Sequence, residues 1–143
     1  MRGGTANCTV VISDELIGSP IVANPDILIV MNDASLEKFQ PRLKEKGLLV
    51  FDSSLIKDHT FRSDIEALGV PATEISAHLG NTKSANMVLL GALVEKTRLV
   101  EKTSLSEALE SLVPERRRKS IDVNKKAILE GIRFIEDKKS QDI

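Results

Sequence analysis

The sequence contains no tryptophan and no tyrosine, and its aromatic residues are Phe39, Phe51, Phe61 and Phe134 alone. Proteins that hold single-stranded nucleic acid stack bases on aromatic side chains, so that class is poorly served here. Cysteine is reduced to Cys8, which excludes an internal disulfide and any cluster held by cysteines of this chain alone. Inside an apolar alternation, a lone cysteine reads as a small hydrophobe. Charge of either sign is not in excess, since 20 Lys and Arg against 21 Asp and Glu leave a net charge of -1. There is no field to grip nucleic acid or anionic lipid. No apolar run reaches the ~20 residues that cross a bilayer. The opening "MRGGTANC" carries one charge and no hydrophobic stretch, so it does not read as a signal peptide. These absences lead to the expectation of a soluble, cytoplasmic protein with no nucleic-acid and no membrane partner.

What is present suits one ordinary domain: 143 residues, 41% of them hydrophobic, enough to bury a core. "NCTVVISD" alternates and is β-branched, which predicts a strand over Ala6 to Ser13. "DILIVMN", Asp26 to Asn32, is a continuous apolar run and predicts a parallel strand covered on both faces. A helix should follow, with Ser35 as N-cap, Glu37 in the first turn and Gly47 at its close. Pro41 falls inside it and should kink or shorten it. "LLVFDSS" predicts a second buried strand, completing a βαβ unit. The fold class is therefore α/β. Such a sheet usually opens on a strand, a glycine-rich turn and a helix. This chain opens on "RGG" and a strand, so the domain is expected to be incomplete at its N-terminus.

Further along, Ile65 to Val70 reads as a short strand or a helical turn, and Pro71 forces an extended Val70. A helix over Ser84 to Val94 is apolar nearly all round, the pattern of a helix central in the domain or buried against another chain. Ser104 and Glu107 form a capping-box pattern before "LESLVPE". A last helix should start near Ser120 and present Asn124, Ala127, Ile128, Gly131, Ile132 and Ile135 on one face, before the polar ending "EDKKSQDI". The whole is one domain, 1–143, whose part from about 104 to 143 is helical.

Several stretches carry possible chemistry. "GNTKSANM" places a glycine, a lysine and a serine before an apolar helix, as a phosphate-binding loop does. The pattern G-x-x-x-x-G-K-[ST] needs a glycine before the lysine and a strand before the loop. Here Thr82 precedes Lys83, and "EISAHL" reads as helix. Nucleotide hydrolysis is not supported. A turn at Gly80 with Asn81 or Thr82 as cap explains the stretch, and an anion held at the helix start remains open. His59 and His78 are far apart and fall in no ligand spacing. Ser53 and Ser54 follow a strand but lack the G-x-S-x-G elbow, so turn or cap roles suit them better. Glu74 reads as a helix-capping acid. The run Arg116 to Lys119 is offset by neighbouring acids and reads as a solvated connection, with a contact for a coenzyme A phosphate or a partner as the minor alternative. "RGGTAN", Arg2 to Asn7, differs: its glycines let the backbone approach something closely, and its polar residues suit a ligand or another chain.

The blocks "MRGGTANCTVVISDELIGSPIV", "PDILIVMNDASLEKFQPRLKEKGLLVFDSSLI" and "VPATEISAHLGNTKSANMVLLGAL" together resemble, in order and spacing, the gamma subunit or domain of the 2-oxoacid:ferredoxin oxidoreductases. The resemblance runs from Arg2 to about Leu93, with a looser match through "VNKKAILEG". It implies a three-layer, Rossmann-like domain with a mainly parallel sheet, inside a multi-subunit enzyme. That enzyme turns a 2-oxoacid such as pyruvate or 2-oxoglutarate, with coenzyme A, into an acyl-CoA and carbon dioxide, passing electrons to ferredoxin. The resemblance implies that the complex uses thiamine diphosphate, Mg2+ and iron-sulfur clusters held mainly on other portions, so none is expected on this chain. The gamma portion is implied to be non-catalytic and to support assembly and the coenzyme A side of the site. By position, the implied ligand or subunit contacts are Arg2, Gly3, Gly4, Thr5 and Asn7, and Gly80, Asn81, Thr82, Lys83 and Asn86. Implied partners are the other subunits, ferredoxin through the complex, and a second copy of the chain. The family's upstream first strand and "GxGGQG" turn have no counterpart here, again implying an incomplete N-terminus.

Two other readings compete. One is a free-standing α/β module that binds a phosphorylated small molecule at the Gly80 helix start. The other is a truncated, inactive assembly piece. A subunit should leave the Met87–Val94 helix poorly covered when isolated and so self-associate, whereas an independent binder should be monodisperse and gain stability from coenzyme A or a nucleotide.

Overall fold

The computed structural model describes residues 6–18, 22–57, 60–112 and 114–141. A parallel sheet of order β1-β2-β3 forms its middle layer: β1 is Ile27–Val30, β2 is Leu48–Asp52 and β3 is Glu66–Val70. The register pairs Ile27 with Leu48 and Val30 with Phe51 on one side, and Leu48 with Glu66 and Asp52 with Val70 on the other. The open question at Ile65 to Val70 is thus resolved in favour of a strand.

Alternation along these strands assigns side chains to two faces. Leu48, Val50, Leu68 and Val70 share a core with residues of helices α2 (Ala72–His78), α3 (Ala85–Thr97) and α5 (Arg118–Gln141). Val30, Leu49 and Phe51 share a second core with Leu36 of α1 (Asp33–Phe39), Leu43 and Ile56. Helices therefore lie on both faces, giving the expected three layers. β2 is buried at every position, as the apolar run "LLVF" predicts. β1 is less covered than expected: it is an edge strand, and Ile29 is 38% exposed.

The first helix departs from its predicted bounds. Asn32 is the N-cap, its side chain accepting from the Ser35 amide at 2.8 Å, so Ser35 lies inside α1. An α-helix cannot run on through Pro41, which has no amide proton. α1 ends at Phe39, and Gln40–Arg42 make one 3-10 turn. Gly47 leads into β2 instead of closing the helix, and the left-handed residue of that turn is Lys46, at φ 65°.

The predicted strand over Ala6 to Ser13 is absent. These residues form neither helix nor strand, and Val10 and Ile12 are 78% and 70% exposed. Alternation gives a strand only where a neighbour supplies hydrogen bonds and cover, and no described strand lies beside this segment.

α3 takes the first of its two expected places. It is central, with Val88, Leu89 and Ala92 buried against the sheet and α5, so the poor cover expected of a subunit's isolated helix is not found, because the sheet and α5 supply that cover within the chain. Its pairing with α5 is close because two glycines face the crossing. A Cβ on Gly91 would sit 2.2 Å from the Ile128 carbonyl oxygen, and one on Gly131 2.1 Å from that of Val88. The predicted α5 face is observed, with Ala127, Ile128, Ile132 and Ile135 buried. α5 starts at Arg118, not near Ser120, and remains helical through most of the polar ending. α4 is Lys102–Leu112, so Ser104 lies in its first turn and is not its cap.

Candidate functional site

In an open α/β sheet, ligands bind beyond the carboxyl ends of the strands, so that edge is the first place to look. Asp52 ends β2 there and is fully buried. α2 begins immediately after β3, and its cap position is Pro71, which offers no side-chain acceptor. The neighbouring strand supplies the acceptors instead. Asp52 Oδ1 accepts from the amides of Ser54 at 3.0 Å and Thr73 at 3.3 Å, while the Thr73 hydroxyl donates to Oδ2. Ser54 Oγ accepts from the Glu74 amide at 3.1 Å. A buried carboxylate at a helix N-terminus is stabilised by these donors and by the helix dipole. The same bonds occupy amides that an anionic ligand would need. Asp52 was not singled out from the sequence; the available signal was an acid closing an otherwise apolar strand. Ser54 serves as a cap acceptor, in line with the turn or cap role expected of it, and Glu74 occupies the first turn of α2.

The second candidate is the turn between α2 and α3. Gly80 sits at φ +85°, a conformation open to glycine. Asn81 caps the 3-10 turn Thr82–Ser84, its Oδ1 accepting from the Lys83 amide at 3.0 Å. The Ser84 amide donates to the Asn81 carbonyl at 3.1 Å, and that of Ala85 to the Thr82 carbonyl. The Asn81 amide donates back to Ser76 at 3.0 Å. Buried Ser76 adds hydroxyl bonds to the carbonyls of Thr73 and Thr82. Amides that would cradle a phosphate are thus bonded within the turn, and a helix, not a strand, precedes it. Thr82, Lys83 and Asn86 are exposed, so what this turn offers outward is a polar surface carrying one lysine.

Of the residues expected from the sequence, Gly80, Asn81, Thr82, Lys83 and Asn86 are brought together in this one turn. Asn7 lies in the exposed segment before β1, and no hydrogen bond among the described residues joins it to the turn. Arg2, Gly3, Gly4 and Thr5 lie outside the described residues, as does His59. His78 is exposed at the end of α2.

A single thiol does not fit an iron-sulfur cluster, and the described residues do not gather the ligands for the metal of thiamine diphosphate. Cys8 is the chain's single thiol and is exposed. Among the described residues, no three His, Cys, Asp or Glu side chains converge. No described helix is long and apolar enough to cross a membrane.

One charged cluster was missed by sequence reasoning altogether. Glu95 of α3 has a side chain only 3% exposed, with Lys102 Nζ 2.7 Å from Oε2, and Arg98 and Lys139 at 3.2 and 3.6 Å from Oε1. The Oε2 contact is an ion pair outside hydrogen-bond angles. Lys102 holds the Glu95 carboxyl below its ordinary value against the opposing effect of burial, with Arg98 and Lys139 assisting. Glu95 and Glu136 in turn raise Lys102. Its partners come from three separate segments, which is why no local pattern reveals it.

The fold defines a three-layer α/β domain in which the buried polar groups Asp52, Ser76 and Glu95 bond to neighbouring elements. The chain belongs to the family described as pyruvate ferredoxin/flavodoxin oxidoreductase, whose sequence profile matches residues 1–134. It is 40% identical over 93 residues to the ketoisovalerate oxidoreductase subunit VorA of Methanothermobacter marburgensis, covering 65% of this chain and 19% of VorA. It is 34% identical over 140 residues to the 2-oxoglutarate synthase subunit KorC of the same organism, covering 91% of this chain and 75% of KorC. The crystal structure of a keto/oxoacid ferredoxin oxidoreductase gamma subunit from Geobacter sulfurreducens superposes with a TM-score of 0.70 at 27% identity, covering 78% of this chain and 64% of that one.

Proposed function

We propose that the chain is a gamma-type, non-catalytic portion of a 2-oxoacid:ferredoxin oxidoreductase, acting in the assembled cytoplasmic complex. The observation that carries this reading is the family match over residues 1–134, laid on a fold whose polar groups are engaged in structure. In the complex, thiamine diphosphate, Mg2+, iron-sulfur clusters and coenzyme A serve the reaction from other portions. The exposed Thr82, Lys83 and Asn86, with Arg2, Gly3, Gly4, Thr5 and Asn7, supply subunit contacts on the coenzyme A side. The exposed apolar Val10, Ile12 and Leu16 support a subunit role, since such residues in one segment favour burial against another chain. Ferredoxin meets this portion only through the complex.

The first substrate to test is 2-oxoglutarate, because the similarity to KorC covers 91% of this chain and that to VorA 65%. The experiment is anaerobic recovery of the chain from its native cytoplasm with whatever accompanies it. Thiamine- and cluster-bearing partners, with ferredoxin reduction on adding 2-oxoglutarate, are the expected result. A chain recovered alone, folded and monodisperse, would overturn the proposal and favour a small-molecule binding module. Gly4→Val should impair assembly and turnover more than the fold of the isolated chain.

A further inference from the structure

α4 is the least anchored helix of the described chain. None of its residues is buried, Leu105 and Leu109 are half-buried, and Leu112 is 81% exposed. Its attachment is concentrated in charge at its two ends. At the start, Lys102 pairs with Glu95 of α3 at 2.7 Å and with Glu136 of α5 at 3.3 Å. At the other end, Glu110 pairs with Lys125 of α5 at 2.5 Å, in an open cleft also lined by Arg118, Ile121 and Asp122. The contact at Lys102 is with the later part of α5 and the contact at Glu110 with the earlier part, so α4 lies antiparallel along it.

From this arrangement we infer that α4 is an electrostatic strap, which detaches from the α3–α5 body as a unit when ionic strength rises, while the body stays folded. Two features make the separation possible. First, Glu95 keeps Arg98 and Lys139 on Oε1 after Lys102 leaves Oε2, so the carboxylate retains two cationic partners when the strap opens. Second, the forces differ in kind. The pairs Lys102–Glu136 and Glu110–Lys125 join groups at least 30% exposed and are screened by salt, while the pair of Lys102 with buried Glu95 is screened less. The α3–α5 contact is apolar and is not weakened by salt. Opening α4 exposes the side of α5 on which Ile121, 7% exposed, lines the shared cleft.

The test is amide hydrogen exchange on the full chain at about 0.05 M and about 1 M NaCl. Amides of residues 105–112 should exchange roughly tenfold faster at the higher salt, while those of α3 and the middle of α5 stay unchanged. The double variant Lys102→Met, Lys125→Met should show the faster α4 exchange already at low salt and lose its salt dependence. Equal protection of α4 and α5 at both salts would overturn the inference, because α4 would then open only with global unfolding. Amides of α4 unprotected at both salts would overturn it equally, since no latch would exist.

Discussion

Replacing Gly131 by alanine tests the packing on which the whole helical layer depends. The added methyl would lie 2.1 Å from the Val88 carbonyl oxygen, 2.9 Å from the Ala92 nitrogen and 3.0 Å from the Val88 carbonyl carbon. All three are backbone atoms of α3, so no side chain can swing aside. The helices must part by about an ångström, which also loosens Ala127, Ile128, Ile132 and Ile135 along the same seam. Overpacking of this kind costs about 1–3 kcal/mol, and the loosened seam places this case at the upper end. Alanine returns about 1 kcal/mol through its better helix propensity. The net expectation is a loss of about 2 kcal/mol, or a fall in Tm of about 6 °C for a domain of this size. Thermal unfolding followed by circular dichroism measures it, with exposed Lys126→Ala on the same helix as the control. Gly91→Ala meets Ile128 in the same way, and the double variant should cost less than the sum of the two, because one separation relieves both clashes. An unchanged or raised Tm for Gly131→Ala would refute the close crossing, since propensity would then be the only effect acting.

Further expectations concern the polar sites. Asp52→Ala leaves the amides of Ser54 and Thr73 and the Thr73 hydroxyl without their buried acceptor, and should cost about 2–4 kcal/mol in urea unfolding. Asn81→Ala removes the cap of the turn into α3 and should cost about 1 kcal/mol in the same assay, with no change in nucleotide affinity. Because Lys102 lowers the folded-state value of Glu95, and Lys125 that of Glu110, unfolded glutamates bind protons first as acid is added. Their contribution to stability is complete above the ordinary glutamate value, and falls as pH drops through the lower folded values. Stability measured from about pH 6 down to about pH 3 should fall more steeply in the parent than in Glu95→Gln. Parallel curves would show that Glu95 contributes nothing to acid sensitivity.

The strand β2 and the buried face of α5 were legible because their signals are local, whereas Ile65 to Val70 stayed open between strand and helical turn because only pairing with β2 decides it. An apolar run, a proline after Val70 and a 3.6-residue spacing act within a few residues, and the fold agrees with them. The turn at Gly80 was legible for the same reason, since Asn81 bonds to Lys83 two positions away. What failed depended on a neighbour. Ala6 to Ser13 alternates as a strand should, yet no described strand lies beside it. Ser35 and Ser104 have capping chemistry, but Asn32 and a helix start at Lys102 take the cap positions. Asp52, the holder of the α2 terminus, and Glu95, ringed by cations, are acids among apolar residues with partners on other elements, Thr73 for the first and Lys102 and Lys139 for the second.

Composition and local pattern alone therefore determined the α/β class, the exclusion of an internal disulfide and the identity of the turn before α3. They also carried the family resemblance, which rests on three sequence blocks in order. Tertiary structure alone decided that α3 is covered within the chain, that Gly91 and Gly131 face one crossing, and that Asp52 and Glu95 are buried. The physical reason is range: backbone propensity and capping act between residues close in sequence, whereas burial and charge pairing act between residues close in space.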